Sequence, residues 1–248
     1  EAYFRDTEKG VEFLADERLY RSAPGQHGAN AAGFHDREFA LAAGESRRIA
    51  VLGDSMTWGQ GRAEETWPRK LEDGLGAPWQ VLNFARYGSD SRQQFATLPE
   101  VWPYKPEQLL VGVYWNDAIP NRMIEVGRHG GRIWLEERSW FWFHSGLFRA
   151  VHGAWASRGY SPVPERGFVG GQLAKIQVET AARGIPLTAV LLWPHTLARG
   201  IADCAAVTHK AKDCLLARDT TRSLAVEIAA LGIPIIDTLP ALVEPNWP

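Results

Sequence analysis

Apolar positions along this chain gather into five short runs separated by stretches of helical period. The runs Ile49–Leu52, Gln80–Phe84, Leu109–Tyr114, Leu187–Leu192 and Ile235-Ile236 are short, partly β-branched and bounded by turn residues, which predicts buried strands. Between them, Thr66-Trp67-Pro68 predicts a helix start with proline in the first turn, and Gly76 a stop just beyond Leu75. Ser91, with Gln94 three residues later, predicts a capping box opening a helix that runs to Val101. Further helices are expected from Gly171 to Ala182 and from Thr220 to Ala230. The turn Arg183-Gly184-Ile185-Pro186 recurs as Leu231-Gly232-Ile233-Pro234: glycine just past a helix end, then proline leading into a strand. The pattern shows no helix after the fifth run.

Strands alternating with helical crossovers predict a three-layer α/β/α fold. Its sheet is expected to be flavodoxin-like, parallel and five-stranded, in the order 2-1-3-4-5. That order opens the loops after the first three strands side by side at the carboxyl edge. Residues 1–47 read as an extension packed on a main domain spanning 48–248. Within it Glu38 to Ala43 is expected to form one helical turn or an edge strand. Residues 118–167 interrupt the alternation with Trp134, Trp140, Phe141, Trp142, Phe143, Phe148 and Trp155. A segment this long reads as a functional insertion or as a hydrophobic plug, with an amphipathic membrane-surface segment as a third option.

Composition narrows the partners. Of 248 residues, 45% are hydrophobic and 23% charged, as in a globular protein with a sizeable core. A net charge of -2 gives no electrostatic reason to expect nucleic acid or an anionic membrane. No apolar run reaches the length of a membrane span. The start at Glu1 leaves room for a removed leader or anchor, through which membrane association would come. The chain holds eleven tryptophans, which fit an aromatic-lined surface or an aromatic core. Cys204 and Cys214 are its two cysteines; they either close a small disulfide loop or stay free thiols. No metal-ligand spacing occurs, so neither metal nor cofactor is expected.

The candidate chemistry lies at three strand ends. Gly53-Asp54-Ser55 follows the first strand, Arg86-Tyr87-Gly88 the second, and Trp115-Asn116-Asp117 the third. Ser55 offers a nucleophilic hydroxyl, Gly88 an unobstructed backbone N–H and Asn116 a side-chain amide, the set that acyl transfer needs. Each also has an ordinary reading as turn or cap. Asp54 is expected to hold the loop, and Asp237 to organise the turn after strand five.

These blocks resemble the SGNH hydrolases, the GDSL esterase/lipase family. Gly53-Asp54-Ser55 resembles its first block, Gly88 the glycine of the second and Asn116 the asparagine of the third. Asn30-Ala31-Ala32-Gly33-Phe34 resembles the lead-in of bacterial envelope members. The resemblance implies Ser55 as nucleophile, with the Ser55 N–H, the Gly88 N–H and Asn116 as oxyanion hole. One partner does not match: the family's Asp-x-x-His block occurs nowhere in this chain. Three explanations stand: the block lies beyond Pro248, another histidine serves (His195, after strand four), or the domain binds without catalysing. The expected function is cleavage of an acyl ester or a carbohydrate O-acetyl ester through an acyl-enzyme at Ser55. An O-acyltransferase acting on a glycan and a non-catalytic carbohydrate- or partner-binding module are the alternatives. A nucleotide binder is disfavoured by the lack of Gly-x-Gly-x-x-Gly after strand one. Envelope resemblance and the cysteine pair place the expected location in the periplasm or on an external membrane face.

Overall fold

In the computed structural model of the chain, the five apolar runs form one parallel sheet. The structure describes residues 2–6, 11–14, 17–18, 20–26, 28–59, 61–121, 123–126, 131–134, 141, 145–156, 158, 163–193 and 211–243. Three short strands come first: β1 (Ala2–Asp6), β2 (Val11–Leu14) and β3 (Tyr20–Ser22), an antiparallel sheet of their own. The main sheet comprises β4 (Arg47–Leu52), β5 (Trp79–Asn83), β6 (Gln108–Val113), β9 (Leu187–Leu191) and β10 (Ile235–Asp237), ordered β5-β4-β6-β9-β10. Every pairing in it is parallel, so the expected 2-1-3-4-5 order is the observed one.

Helices α2 (Trp67–Leu75), α3 (Ser91–Val101), α5 (Phe168–Ala181) and α6 (Ala211–Ala230) connect or flank these strands. Burial on both faces explains why the strands read as continuous apolar runs. Ala50, Leu52, Leu109, Val111 and Ala189 meet Leu98, Leu173, Ile176 and Leu224 on one face. Ile49, Val51, Val81, Leu110 and Val190 pack against Trp67 and Leu71 on the other. Gly184 and Gly232 both adopt positive φ, 66° and 71°, as the repeated helix-to-strand turn requires.

Three expectations are corrected. The cap of α3 is Asp90, not Ser91: its carboxylate accepts from the Gln93 N–H at 3.1 Å, and the Gln93 side chain accepts from the Asp90 N–H at 3.0 Å. Residues 38–43 form neither a helical turn nor a strand. Their carbonyls are satisfied by a side chain instead: the buried Arg48 guanidinium donates to the carbonyls of Ala40, Leu41, Ala42 and Tyr104 at 2.6–3.0 Å. A short helix, α7 (Leu239–Val243), does follow β10. As expected, Asp237 organises that turn, accepting from the Leu239 N–H at 2.9 Å and also from Trp193 Nε1 at 2.7 Å.

The segment after β6 holds an antiparallel hairpin, β7 (Met123–Val126) and β8 (Gly131–Trp134), and a helix, α4 (Gly146–Ala156), packed against β8. Its two ends meet: the Glu165 N–H donates to the Ala118 carbonyl at 2.7 Å, so residues 119–164 leave and return at the carboxyl end of β6.

Candidate active site

Strand β4 ends at Leu52, and Ser55 opens a single helical turn, α1 (Ser55–Trp58). Asp54 caps that turn, its Oδ1 accepting from the Met56 N–H at 2.8 Å. The turn is tight because Thr57 packs back on the sheet. A Cβ at Gly53 or at Gly112 of β6 would overlap the Thr57 side chain, so both positions need glycine. Ser55 is half-buried, while Asp54 is fully buried beside it. Ser55 Oγ stands 3.5 Å from Asp54 Oδ2, at the outer limit of a hydrogen bond, so the carboxylate does not lock the hydroxyl.

Neighbouring loops are tied to this turn by directional hydrogen bonds. The Gly53 carbonyl accepts from the Arg86 N–H at 3.0 Å and from Ser89 Oγ at 3.1 Å, bringing in the loop after β5. Gly88 lies in that loop at φ 71°, a left-handed conformation open to glycine. An added Cβ would also sit 3.1 Å from the Tyr20 hydroxyl, which donates to the Tyr87 carbonyl at 2.9 Å. The Gly88 carbonyl accepts from Asn121 Nδ2, and the Asn121 N–H donates to Asp90 Oδ2 at 2.7 Å. Asn116 enters on a 3-10 turn, Trp115–Ala118, directly after β6. Its side chain stands beside the Asp54 carboxylate and favours its charged form, and its Oδ1 is buried without a hydrogen-bond partner among the described residues.

Asp117 holds this third loop. Its carboxylate accepts from the Tyr114 N–H at 2.8 Å and from Gln94 Nε2 at 3.0 Å. Ser91 Oγ donates to the Asp117 carbonyl at 3.2 Å. Ser91 and Gln94, read from sequence as a helix cap, thus tie α3 to the loop of Asn116. Burial pushes the Asp54 carboxyl up to about 6, against the hydrogen bonds from Met56, Asn116 and Ser55. Burial also raises Asp117 well above the usual carboxylate range, with the neighbouring Asp54 charge adding to it. Asp90 is raised for the same first reason.

The sequence blocks therefore converge: Ser55, Gly88 and Asn116 stand on three loops joined through Gly53, Asn121 and Asp117. Sequence reasoning missed the residues that hold them: Tyr20, Ser89, Asp90, Asp117 and Asn121. Among these only Asp90 and Asp117 carried a signal, as acids beside the motif blocks. His195 and Cys204 lie outside the described residues. Cys214 is buried on α6 and disulfide-bonded. The described histidines have other surroundings. His35 is buried, stacks on Trp58 and shares a 2.8 Å hydrogen bond with the Trp58 carbonyl through Nδ1; His152 stacks on Phe148 in α4. Among the described residues no group of three or more His, Cys, Asp or Glu could hold a metal ion, and no helix is long and apolar enough to cross a membrane.

A groove of about 750 Å³ is lined in part by His35, Asp36, Arg37, Arg62, Arg69 and Glu72, and not by Ser55. Its arginines are engaged: Arg37 with Glu72, Arg69 with Asp36 and Glu72, Arg62 with Glu65. It reads as the seam between residues 28–37 and α2.

No family model and no curated protein matches the chain. Solved structures do. The SGNH-hydrolase esterase AlinE4 is 19% identical, with 82% of each chain covered and a TM-score of 0.47. The acetyl xylan esterase AlAXEase is 10% identical over 79% of each chain, with a TM-score of 0.47. The psychrotrophic esterase EstA from Pseudoalteromonas sp. is 15% identical over 77% of each chain, with a TM-score of 0.42. All three are esterases by name, and AlinE4 is named an SGNH-hydrolase family esterase.

Proposed function

We propose that the protein is a serine ester hydrolase working through an acyl-enzyme at Ser55. The observation that carries this is the cross-linking of three loops: Gly53 accepts from Arg86 and Ser89, the Gly88 carbonyl accepts from Asn121, and Asp117, next to Asn116, accepts from Gln94 of α3. It draws a half-exposed serine hydroxyl, a glycine N–H and an amide donor to one end of the sheet. In this reading Ser55 Oγ attacks the ester carbonyl. The N–H groups of Ser55 and Gly88 and the Asn116 amide receive the negative oxygen of the tetrahedral intermediate. Collapse expels the alcohol and leaves the acyl group on Ser55. Water, or a sugar hydroxyl in an O-acyltransferase, then releases it. A histidine is the proposed base, with His195 the candidate in the sequence. An acyl group on a carbohydrate is the proposed substrate class, and an extracytoplasmic location suits it.

Ser55→Ala, assayed on a short-chain aryl ester, is expected to lower turnover by about a thousandfold or more. Unchanged turnover would remove Ser55 from the reaction. A protein that binds acylated glycans without turnover, with or without Ser55, would favour the binding module.

A further inference from the structure

Helix α4 is amphipathic in the reverse sense. Its half-buried residues are polar, Arg149 and His152, and its buried ones are small, Gly153 and Ala156. Leu147, Val151 and Trp155, spaced four apart on one stripe, point outward and are 77%, 64% and 67% exposed. Three large apolar side chains in a row on solvent are not accounted for by core packing, and contiguous patches of this kind mark contact surfaces.

Charge says what the stripe meets. The whole chain carries -2, but residues 118–167 hold seven arginines and no lysine against four glutamates and no aspartate, a local excess of three positive charges. Arg158 and Arg166, just beyond α4, are exposed. An outward Leu-Val-Trp stripe with arginines at its flank matches the headgroup boundary of an anionic bilayer: the apolar groups enter the acyl edge and the guanidinium groups meet phosphate. We propose that α4 and its flanking arginines dock the protein on an anionic lipid surface. The segment leaves and rejoins the main domain at Ala118 and Glu165, at the carboxyl end of β6 and beside Asn116, so docking brings the end of the sheet that bears Ser55 toward the surface.

The test is flotation of the full chain with vesicles of phosphatidylcholine alone and with vesicles carrying about one third phosphatidylglycerol. The protein is expected to float with the anionic vesicles, at least about fivefold more than with neutral ones, and to be released by high salt. The triple variant Leu147→Ser, Val151→Ser, Trp155→Ser should reduce the bound fraction about tenfold while leaving the circular dichroism and the turnover of a soluble ester unchanged. If that variant fails to fold, Arg158→Glu carries the test and should lower binding severalfold. Wild-type protein that stays unbound, or that binds neutral vesicles equally, overturns the proposal. So does a folded triple variant that floats like wild type. A wild-type dimer that the triple variant converts to monomer also overturns it, because the stripe would then face a second copy.

Discussion

Around Ser55, buried carboxylates are held by backbone N–H groups and an amide; under the N-terminal segment, half-buried carboxylates are held mainly by guanidinium groups. Asp54 and Asp117 accept from Met56, Tyr114 and Gln94, none of them charged. Glu72 takes Arg37 and Arg69 beside the Val81 N–H, and Glu100 takes Arg18 and Arg86. The two arrangements serve different ends. A backbone N–H is fixed in direction, so a carboxylate that accepts from it sets a loop's position to a few tenths of an ångström. Burial drives the site's aspartates toward the protonated form, and it also raises Asp36, which pairs with Arg69, to about 6. A guanidinium carries a full charge on a long stem and joins distant segments with less demand on backbone position. Arg18 and Arg37 are fastened to α3 and α2 in this second way, while the loops around Ser55 are positioned in the first.

Substitutions can separate the two. The largest stability effect is expected on the arginine side. Arg86 is buried, donates to Glu100 at 2.6 Å and lies over the Phe34 ring at 4.9 Å. Arg86→Ala removes the cation and leaves a cavity, and should cost about 3–5 kcal/mol, read as a fall in the urea midpoint. Equal stability to wild type would mean that the ion pairs under the N-terminal segment carry little. On the catalytic side, Asn116→Ala should lower kcat about a hundredfold to a thousandfold with KM little changed, since an oxyanion donor acts mainly in the transition state. A change confined to KM would make Asn116 a binding group.

Asp54→Asn probes the charge itself. The Asp54 carboxyl is raised from 3.8 to about 6, so the native state holds its proton more tightly than the unfolded chain does. Its contribution to stability is full below about pH 4 and is lost as pH rises through about 6. Wild-type protein should therefore lose stability between about pH 4 and pH 7 relative to Asp54→Asn, measured by urea unfolding at both ends. Parallel profiles would show that burial at Asp54 does not favour the proton. The smallest effect belongs to the exposed Arg47, which pairs with Glu107 at 2.8 Å and lies over the Trp79 ring at 4.1 Å. Arg47→Ala should cost less than about 1 kcal/mol by thermal unfolding. A larger loss would mean that exposed ion pairs matter here as much as buried ones.

Much of this was legible from residue pattern, because both faces of the sheet are covered. Burial on both sides demands continuous apolar runs, and prolines lead into β5, β6, β9 and β10, so these strands and β4 fall within a residue or two of their sequence bounds. Errors fell where side chains found partners outside the element the local pattern suggested. Residues 38–43 look like a short element, but Arg48 takes their carbonyls. Ser91 and Gln94 look like a cap, but Asp90 has the geometry and they serve the loop of Asn116.

Sequence alone determined the parallel α/β order and the three motif blocks, since these rest on local hydrophobic period and turn chemistry. Only the tertiary structure decided what holds Ser55, Gly88 and Asn116 together. Tyr20 against Gly88 and Asn121 on the Gly88 carbonyl are contacts between positions 68 and 33 residues apart. No period in a chain encodes such pairs; they exist once the sheet has closed and its carboxyl edge has gathered the loops. The same holds for the outward stripe on α4, whose residues look like core until the fold shows which side faces water.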